Sequence, residues 1–189
     1  MRVAEDDSIL VSALVKGDPR APSILFDRYG AHVQRVLARM LGYAEPERAD
    51  LLHDVFIRAL ERIGELKNPR ALKHWLTGIT VFTTQEWIRR RRRIGPPREP
   101  AGADRHQATA IEPEAREAVR AFYEVMNRFD PDERAAFILR FVEGMTLGEV
   151  AEACEVSLST ARRRISRADD RFRALMPQYP SLIERLRRT

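Results

Sequence analysis

The chain has 189 residues, 44% of them hydrophobic, which is enough for one large core or two small ones. Thirty-three Lys and Arg against 28 Asp and Glu give a net charge of +5 and a pI near 9.9, and nearly all the cations are Arg, so an acidic polymer is the expected partner. One cysteine excludes an intramolecular disulfide framework, no apolar run reaches the length of a membrane span, and the sequence offers no phosphate-cradling Gly loop or nucleophile motif.

Neither His32, His53, His74 and His106 nor Cys154 have metal-ligand spacing, so no metal, cofactor or catalytic residue is predicted. The N-terminus reads MRVAEDDS with no signal-like apolar run, and the expected location is cytoplasmic, without membrane insertion. Ile9, Leu10, Ala13 and Leu14 predict a short amphipathic helix over Ser8 to Lys16, stopped by Gly17. Asp18-Pro19 supplies a cap and a first-turn proline, and Leu25, Tyr29, Val33, Val36, Leu37 and Met40 continue a long second helix to about Gly42.

Glu45 to Ile63 predicts a third helix with two faces. Leu51, Leu52, Val55, Phe56, Ala59, Leu60 and Ile63 form its buried side, while Asp50, Asp54, Ile57 and Glu61 form an outward ridge. Spacing alone leaves that ridge either a docking surface or a solvated face.

Asn68-Pro69 repeats the cap-then-proline signal ahead of Leu72, Trp75, Leu76, Ile79 and Phe82 at helical spacing. Within this fourth helix Thr77 to Thr84 is β-branched and contains Gly78, so tertiary packing has to hold it helical. It ends in the arginine run Arg89 to Arg93, which with Trp75, Gln85 and Trp87 reads as a grip on a nucleic-acid backbone rather than a solvated helix end.

Ile94 to Ile111 contains Gly95, Pro96, Pro97, Pro100 and Gly102 with no apolar period and reads as a tether. Extended, it reaches on the order of 60 Å, so the two halves need not touch.

The second half starts near Pro113 with Ala118, Val119, Phe122, Val125, Met126 and Phe129 on one face. Asp130-Pro131-Asp132-Glu133 combines cap, proline and capping-box acid for the next helix, which ends at Glu143-Gly144. Thr146 and Glu149 form a second capping box, and Ser157 caps a last helix. On that helix Leu158, Ala161, Ile165, Ala168, Phe172 and Leu175 make an apolar stripe and leave Arg162, Arg163, Arg164, Arg167, Arg171 and Arg173 outside it. A short helix, a tight turn and a second helix with a small polar first turn is the arrangement that enters a major groove. Pro177 and Pro180 are expected to close the ordered part, leaving a basic tail over Glu184 to Thr189. Cys154 reads as a small core residue.

Taken together, the four helices with a Trp-containing basic end, the Pro-rich tether and the helix-turn-helix unit resemble the extracytoplasmic-function class of bacterial sigma-70 family sigma factors. The similarity covers roughly residues 6 to 93 and 114 to 175. Ala49 through Ala59 looks like that family's polymerase-binding helix, Asn68 through Leu76 is similar to its element for capturing unpaired −10 bases, and Phe137 through Phe141 with Gly144-Met145-Thr146 is similar to the entry into its −35 helix-turn-helix.

The resemblance implies an all-α chain of two small helical domains, sigma-2-like over 1–93 and sigma-4-like over 113–176, with a flexible linker at 94–112 and a tail at 177–189. It implies core RNA polymerase binding through Asp50, His53, Asp54, Ile57 and Arg58. It places Asn68, Arg70, Trp75, Gln85, Arg89, Arg90 and Arg92 at the −10 element and Ser157, Ser159, Thr160, Arg162, Arg163, Arg164 and Arg167 at the −35 element. Promoter DNA and an anti-sigma factor are the other expected partners.

The chain also departs from the family pattern. Thr80, Val81 and Phe82 follow Ile79 where relatives carry Ala-Arg-Asn, Glu155 takes the place of a turn glycine, and Thr160 to Arg164 adds charge. The rivals are a helix-turn-helix regulator with a sensing or dimerising N-terminal half, and a sigma-like protein that binds polymerase without melting a promoter.

Overall fold

The structure, a computed structural model, describes residues 2–41, 45–94 and 113–188. All of the tether prediction except Ile94 lies outside the described residues, as do Gly42 at the end of the second helix and the tail residue Thr189. The N-terminal unit comprises α1 (Arg2–Val15), α2 (Ala21–Leu41), α3 (Arg48–Arg62) and α4 (Leu72–Ile94). The C-terminal unit comprises α5 (Pro113–Asn127), α6 (Pro131–Phe137), α7 (Leu147–Ala153), α8 (Leu158–Leu175) and α9 (Pro180–Arg187). Among the described residues there is no strand, and no helix is long and apolar enough to cross a membrane.

Local signals explain most boundaries. Gly17 at φ +75° ends α1, with Gly17 N–H donating to the Leu14 carbonyl and Asp18 N–H to that of Ala13, the paired closure of a Schellman turn. The Asp18 carboxylate then accepts from Arg20 N–H at 2.9 Å as α2 begins. Asn68 caps the 3-10 turn Pro69–Ala71 that leads into α4, and Asp130 caps α6 by accepting from Asp132 N–H. Glu133 does not complete a capping box there; it reaches α8 instead, where Arg171 stands 2.9 Å away. Beyond Phe137 the backbone widens into a π-helical turn over Ile138–Val142, closed by Glu143 N–H on the Ile138 carbonyl.

In the N-terminal core Leu25, Val33, Leu37, Val55, Leu72 and Leu76 are fully buried. The α3 face predicted to be inside is inside: Leu51, Leu52, Val55, Phe56 and Ala59 all pack there. In the C-terminal core Phe137 makes ring contacts with Phe129 and Phe172 at centroid distances of 5.7 and 4.7 Å. The expected tail is a correction: Pro180–Arg187 forms α9, whose Leu182 is buried in this core, where removing its side chain from water is worth roughly 1.5–3 kcal/mol. Proline at the first turn starts a helix as readily as it ends one, and Leu182 decides between the two.

The halves touch. Val36 and Met40 of α2 and Val81 of α4 belong to the same buried cluster as Met126, Leu139 and Val150. The odd segment of α4 is therefore packed on both sides, with Thr77, Gly78, Ile79, Thr80, Val81, Thr83, Thr84 and Gln85 all buried. Thr77, Thr80 and Thr84 donate their hydroxyls to the carbonyls four residues back, at 2.9, 2.8 and 2.7 Å, so burial leaves these groups satisfied. Gly78 allows the close approach. A Cβ at that position would stand 3.2 Å from Ala153 Cα on α7. Arg134, 7% exposed, joins the units from the other side by donating to the Met126 carbonyl at 2.8 Å and to the Met40 carbonyl at 2.5 Å.

Candidate nucleic-acid interface

The turn between α7 and α8 sets the angle of the second helix. Thr146 and Glu149 form the full capping box at the start of α7. The Thr146 N–H and hydroxyl both donate to the Glu149 carboxylate, which they hold below the usual carboxylate range. The helix ends in a second Schellman closure, with Glu155 N–H on the Glu152 carbonyl and Val156 N–H on that of Ala151. Glu155, in the place of the family's turn glycine, has φ +52°, in the region that favours glycine. Ser157 then caps α8, accepting from Thr160 N–H at 3.2 Å, and its hydroxyl also lies 3.0 Å from that of Ser159 and 2.9 Å from that of Thr160.

Ser157, Ser159, Arg162, Arg163 and Arg167 are exposed along one side of α8, with Thr160 half-buried beside them. Arg164 differs. It turns inward and meets Asp132 at 2.5 Å, with its side chain 23% exposed. The apolar stripe holds for Ala161 and Ala168, which are buried, and for Ile165, Phe172 and Leu175, which pack against the core. Leu158 is a correction: it is 57% exposed, because the first turn of α8 projects beyond the core that covers the later turns.

Around the expected −10 element, Asn68 and Arg70 are exposed and joined by the Asn68 side chain accepting from Arg70 N–H at 3.1 Å. Trp75 is half-buried and lines a cavity of about 450 Å³ with Asn68, His74, Ile79 and Phe82. Gln85 is 4% exposed and donates to Asp132 at 3.2 Å, and Arg89 pairs with the same carboxylate. Burial thus withdraws Gln85 from any strand in this arrangement. Arg90 and Arg93 are exposed, Arg91 lies over the Trp87 ring at 4.6 Å and pairs with Glu45 at 2.6 Å, and the Arg92 side chain is outside the described residues.

On α3 the ridge is open: Asp50, His53 and Asp54 are exposed, and Ile57 is 54% exposed. Arg58 is taken up within its own unit, 2.5 Å from Glu86 and 5.7 Å above the Phe82 ring. Cys154 is largely buried and burial pushes its thiol up to about 11, which leaves it inert as a thiolate at neutral pH. Asp132, Glu149 and Glu155 are the residues that sequence reasoning missed as neighbours of this surface. Each was legible only as a cap or turn residue.

A family profile described as Sigma-70 region 2 matches residues 25–94, and one described as Sigma-70, region 4 matches residues 119–168. The RNA polymerase sigma-H factor of Pseudomonas aeruginosa is 26% identical over 94% of this chain and 97% of its own length. The ECF RNA polymerase sigma-E factor of Haemophilus influenzae is 27% identical over 86% of this chain and 90% of its own. Among solved structures, CnrH in complex with the cytosolic domain of CnrY superposes with a TM-score of 0.65 at 22% identity, covering 91% of this chain and 97% of that one. RpoE in complex with the anti-sigma factor NepR from Bartonella quintana gives 0.60 at 21% identity, covering 78% of this chain and 91% of that one. With both regional profiles in order along it and full-length relatives of this class, the chain belongs to the sigma-70 family of RNA polymerase sigma factors, in the extracytoplasmic-function class.

Proposed function

We propose that this sigma factor docks on core RNA polymerase through the α3 ridge of Asp50, His53, Asp54 and Ile57. Asn68, Arg70, Trp75 and the arginines at the end of α4 then engage the −10 element, and the exposed start of α8 enters the −35 major groove. The supporting observation is the α8 face: Ser159, Arg162, Arg163 and Arg167 stand clear of the protein on a helix whose opposite side is packed. The polymerase carries the chemistry, while this chain supplies position and sequence discrimination. The half-buried Trp75 beside a cavity suits an unpaired base held by stacking. Each bidentate arginine–guanine pair contributes roughly 1–3 kcal/mol of discrimination, and the other arginines add salt-sensitive affinity. An anti-sigma factor covering these faces is part of the proposal, since CnrH and RpoE are solved with such partners or with a cytosolic domain bound.

In vitro transcription with purified core enzyme and a genomic promoter pool tests the reading. Arg163→Ala is expected to lower −35 affinity by about 5- to 150-fold and transcript yield with it, the range that 1–3 kcal/mol corresponds to. An unchanged footprint and yield count against the role of α8. A second reading is supported by the burial of Thr80, Val81, Thr83 and Thr84, which withdraws those four side chains of α4 from a strand. On that reading the chain binds polymerase but does not melt the promoter, and permanganate footprinting of the −10 region separates the two.

A further inference from the structure

Resting on the groove-entering role proposed for α8, a further property follows from one residue on its first turn. Leu158 is 57% exposed and is the one exposed large hydrophobic residue of α8 among the described residues. The later members of its stripe are covered: Ala161 and Ala168 are buried, and Ile165 and Phe172 lie against the core. Around Leu158 the surface is polar. Ser157, Ser159, Arg162 and Arg163 are all exposed, and Arg162 stands one helical turn further along the same side.

The direction in which Leu158 projects is set before DNA arrives. Ser157 caps the helix by accepting from Thr160 N–H at 3.2 Å, and its hydroxyl lies 3.0 Å from that of Ser159 and 2.9 Å from that of Thr160. A lone leucine elsewhere on a surface would need no explanation. On this turn, insertion of α8 takes the side chain out of water and sets it among base edges, so the base it meets decides whether the exchange is favourable. The major groove shows hydrogen-bond donors and acceptors on every base pair, and its apolar feature is the thymine C5-methyl. Against that methyl, Leu158 buries apolar surface on both sides of the contact. Against a purine edge or a cytosine amino group it would cover a polar atom without pairing it, which weakens binding.

We infer that Leu158 is a specificity-determining residue of the −35 contact, selecting a thymine through its C5-methyl. The hydroxyls and guanidinium groups beside it take the hydrogen-bonding base edges and the phosphates. Leu158 discriminates without a hydrogen bond, by favouring one base and by stranding polar atoms of the others.

Uracil tests this, because it pairs as thymine does and lacks only the methyl. Holoenzyme is reconstituted from core RNA polymerase and the full chain, and a promoter that it transcribes from the genomic pool supplies the duplex. Each dT of the −35 region, on either strand, is replaced by dU one at a time, and competition binding reads the affinity. One position is expected to bind about fourfold more weakly, the loss for a single methyl leaving an apolar contact. In Leu158→Ala the same replacement should leave affinity unchanged, whereas Leu158→Met keeps an apolar side chain of similar size and should keep the effect. Each thymine–uracil comparison is made within one protein, so any change in folding or polymerase binding cancels.

A −35 region in which no thymine responds, or a response that survives in Leu158→Ala, overturns the assignment of Leu158. Arg163→Ala keeps that failure distinct from failure of the α8 reading: if it still weakens binding, α8 remains in the groove without Leu158 as a selector. Binding unchanged in Arg163→Ala removes α8 from the groove, and the role of Leu158 falls with it.

Discussion

Arg134→Met measures how much a buried guanidinium contributes to joining the two units. Arg134 is 7% exposed and donates from Nε to the Met126 carbonyl at 2.8 Å, from Nη1 to the Met40 carbonyl at 2.5 Å and from Nη2 to Asn127 Oδ1 at 2.5 Å. Met40 lies in the last turn of α2, where a helix has carbonyls without internal partners, so the guanidinium satisfies an acceptor that burial would otherwise strand. Hydrogen bonds from a charged donor contribute about 1.5–3 kcal/mol each, or roughly 5–9 kcal/mol for three. Methionine fills similar space and also removes the cost of burying the cation, which is several kcal/mol. The expected net loss is about 2–4 kcal/mol. With a urea dependence of about 2 kcal/mol per molar, the unfolding midpoint should fall by about 1–2 M. Arg134→Lys keeps the charge but not the fork and should recover less than half of the loss. A midpoint that moves by less than about 0.3 M in Arg134→Met would refute the reasoning.

Two further perturbations follow from local geometry. Glu155→Gly removes a left-handed non-glycine residue at φ +52°, worth about 1–2 kcal/mol, and loses only an exposed 3.5 Å pair with Arg62. The melting temperature should rise by about 2–8 °C, and a fall would show that the turn carries no strain. His32 is buried 2.7 Å from the Thr77 hydroxyl, and burial pushes it down to about 4 from the ordinary 6.5. The unfolded chain therefore binds the extra proton first: stability is fully present above pH 6.5 and is lost as pH falls toward 4, with a slope of up to about 1.4 kcal/mol per pH unit. His32→Gln should flatten that part of a urea-denaturation profile, and a profile of unchanged slope counts against the assignment.

What the sequence determined by itself was local. Capping and chain reversal act within a few residues, so Asp18, Asn68, Asp130, the Thr146–Glu149 box and Ser157 were legible as helix starts, and the buried face of α3 followed from its period. The same holds for Glu155, whose left-handed backbone is a demand of the turn and not of any distant contact. The tertiary structure decided everything that depends on which surfaces meet. Arg164 has the sequence signature of its neighbours Arg162 and Arg163, and only the position of α6 against α8 gives it Asp132 as a partner. Thr77 to Thr84 looks unsuited to a helix until both units pack on it, and Pro180 reads as a terminator until Leu182 finds the core. Long-range burial and charge pairing depend on the summed arrangement of several helices, whereas a cap or a period needs only one.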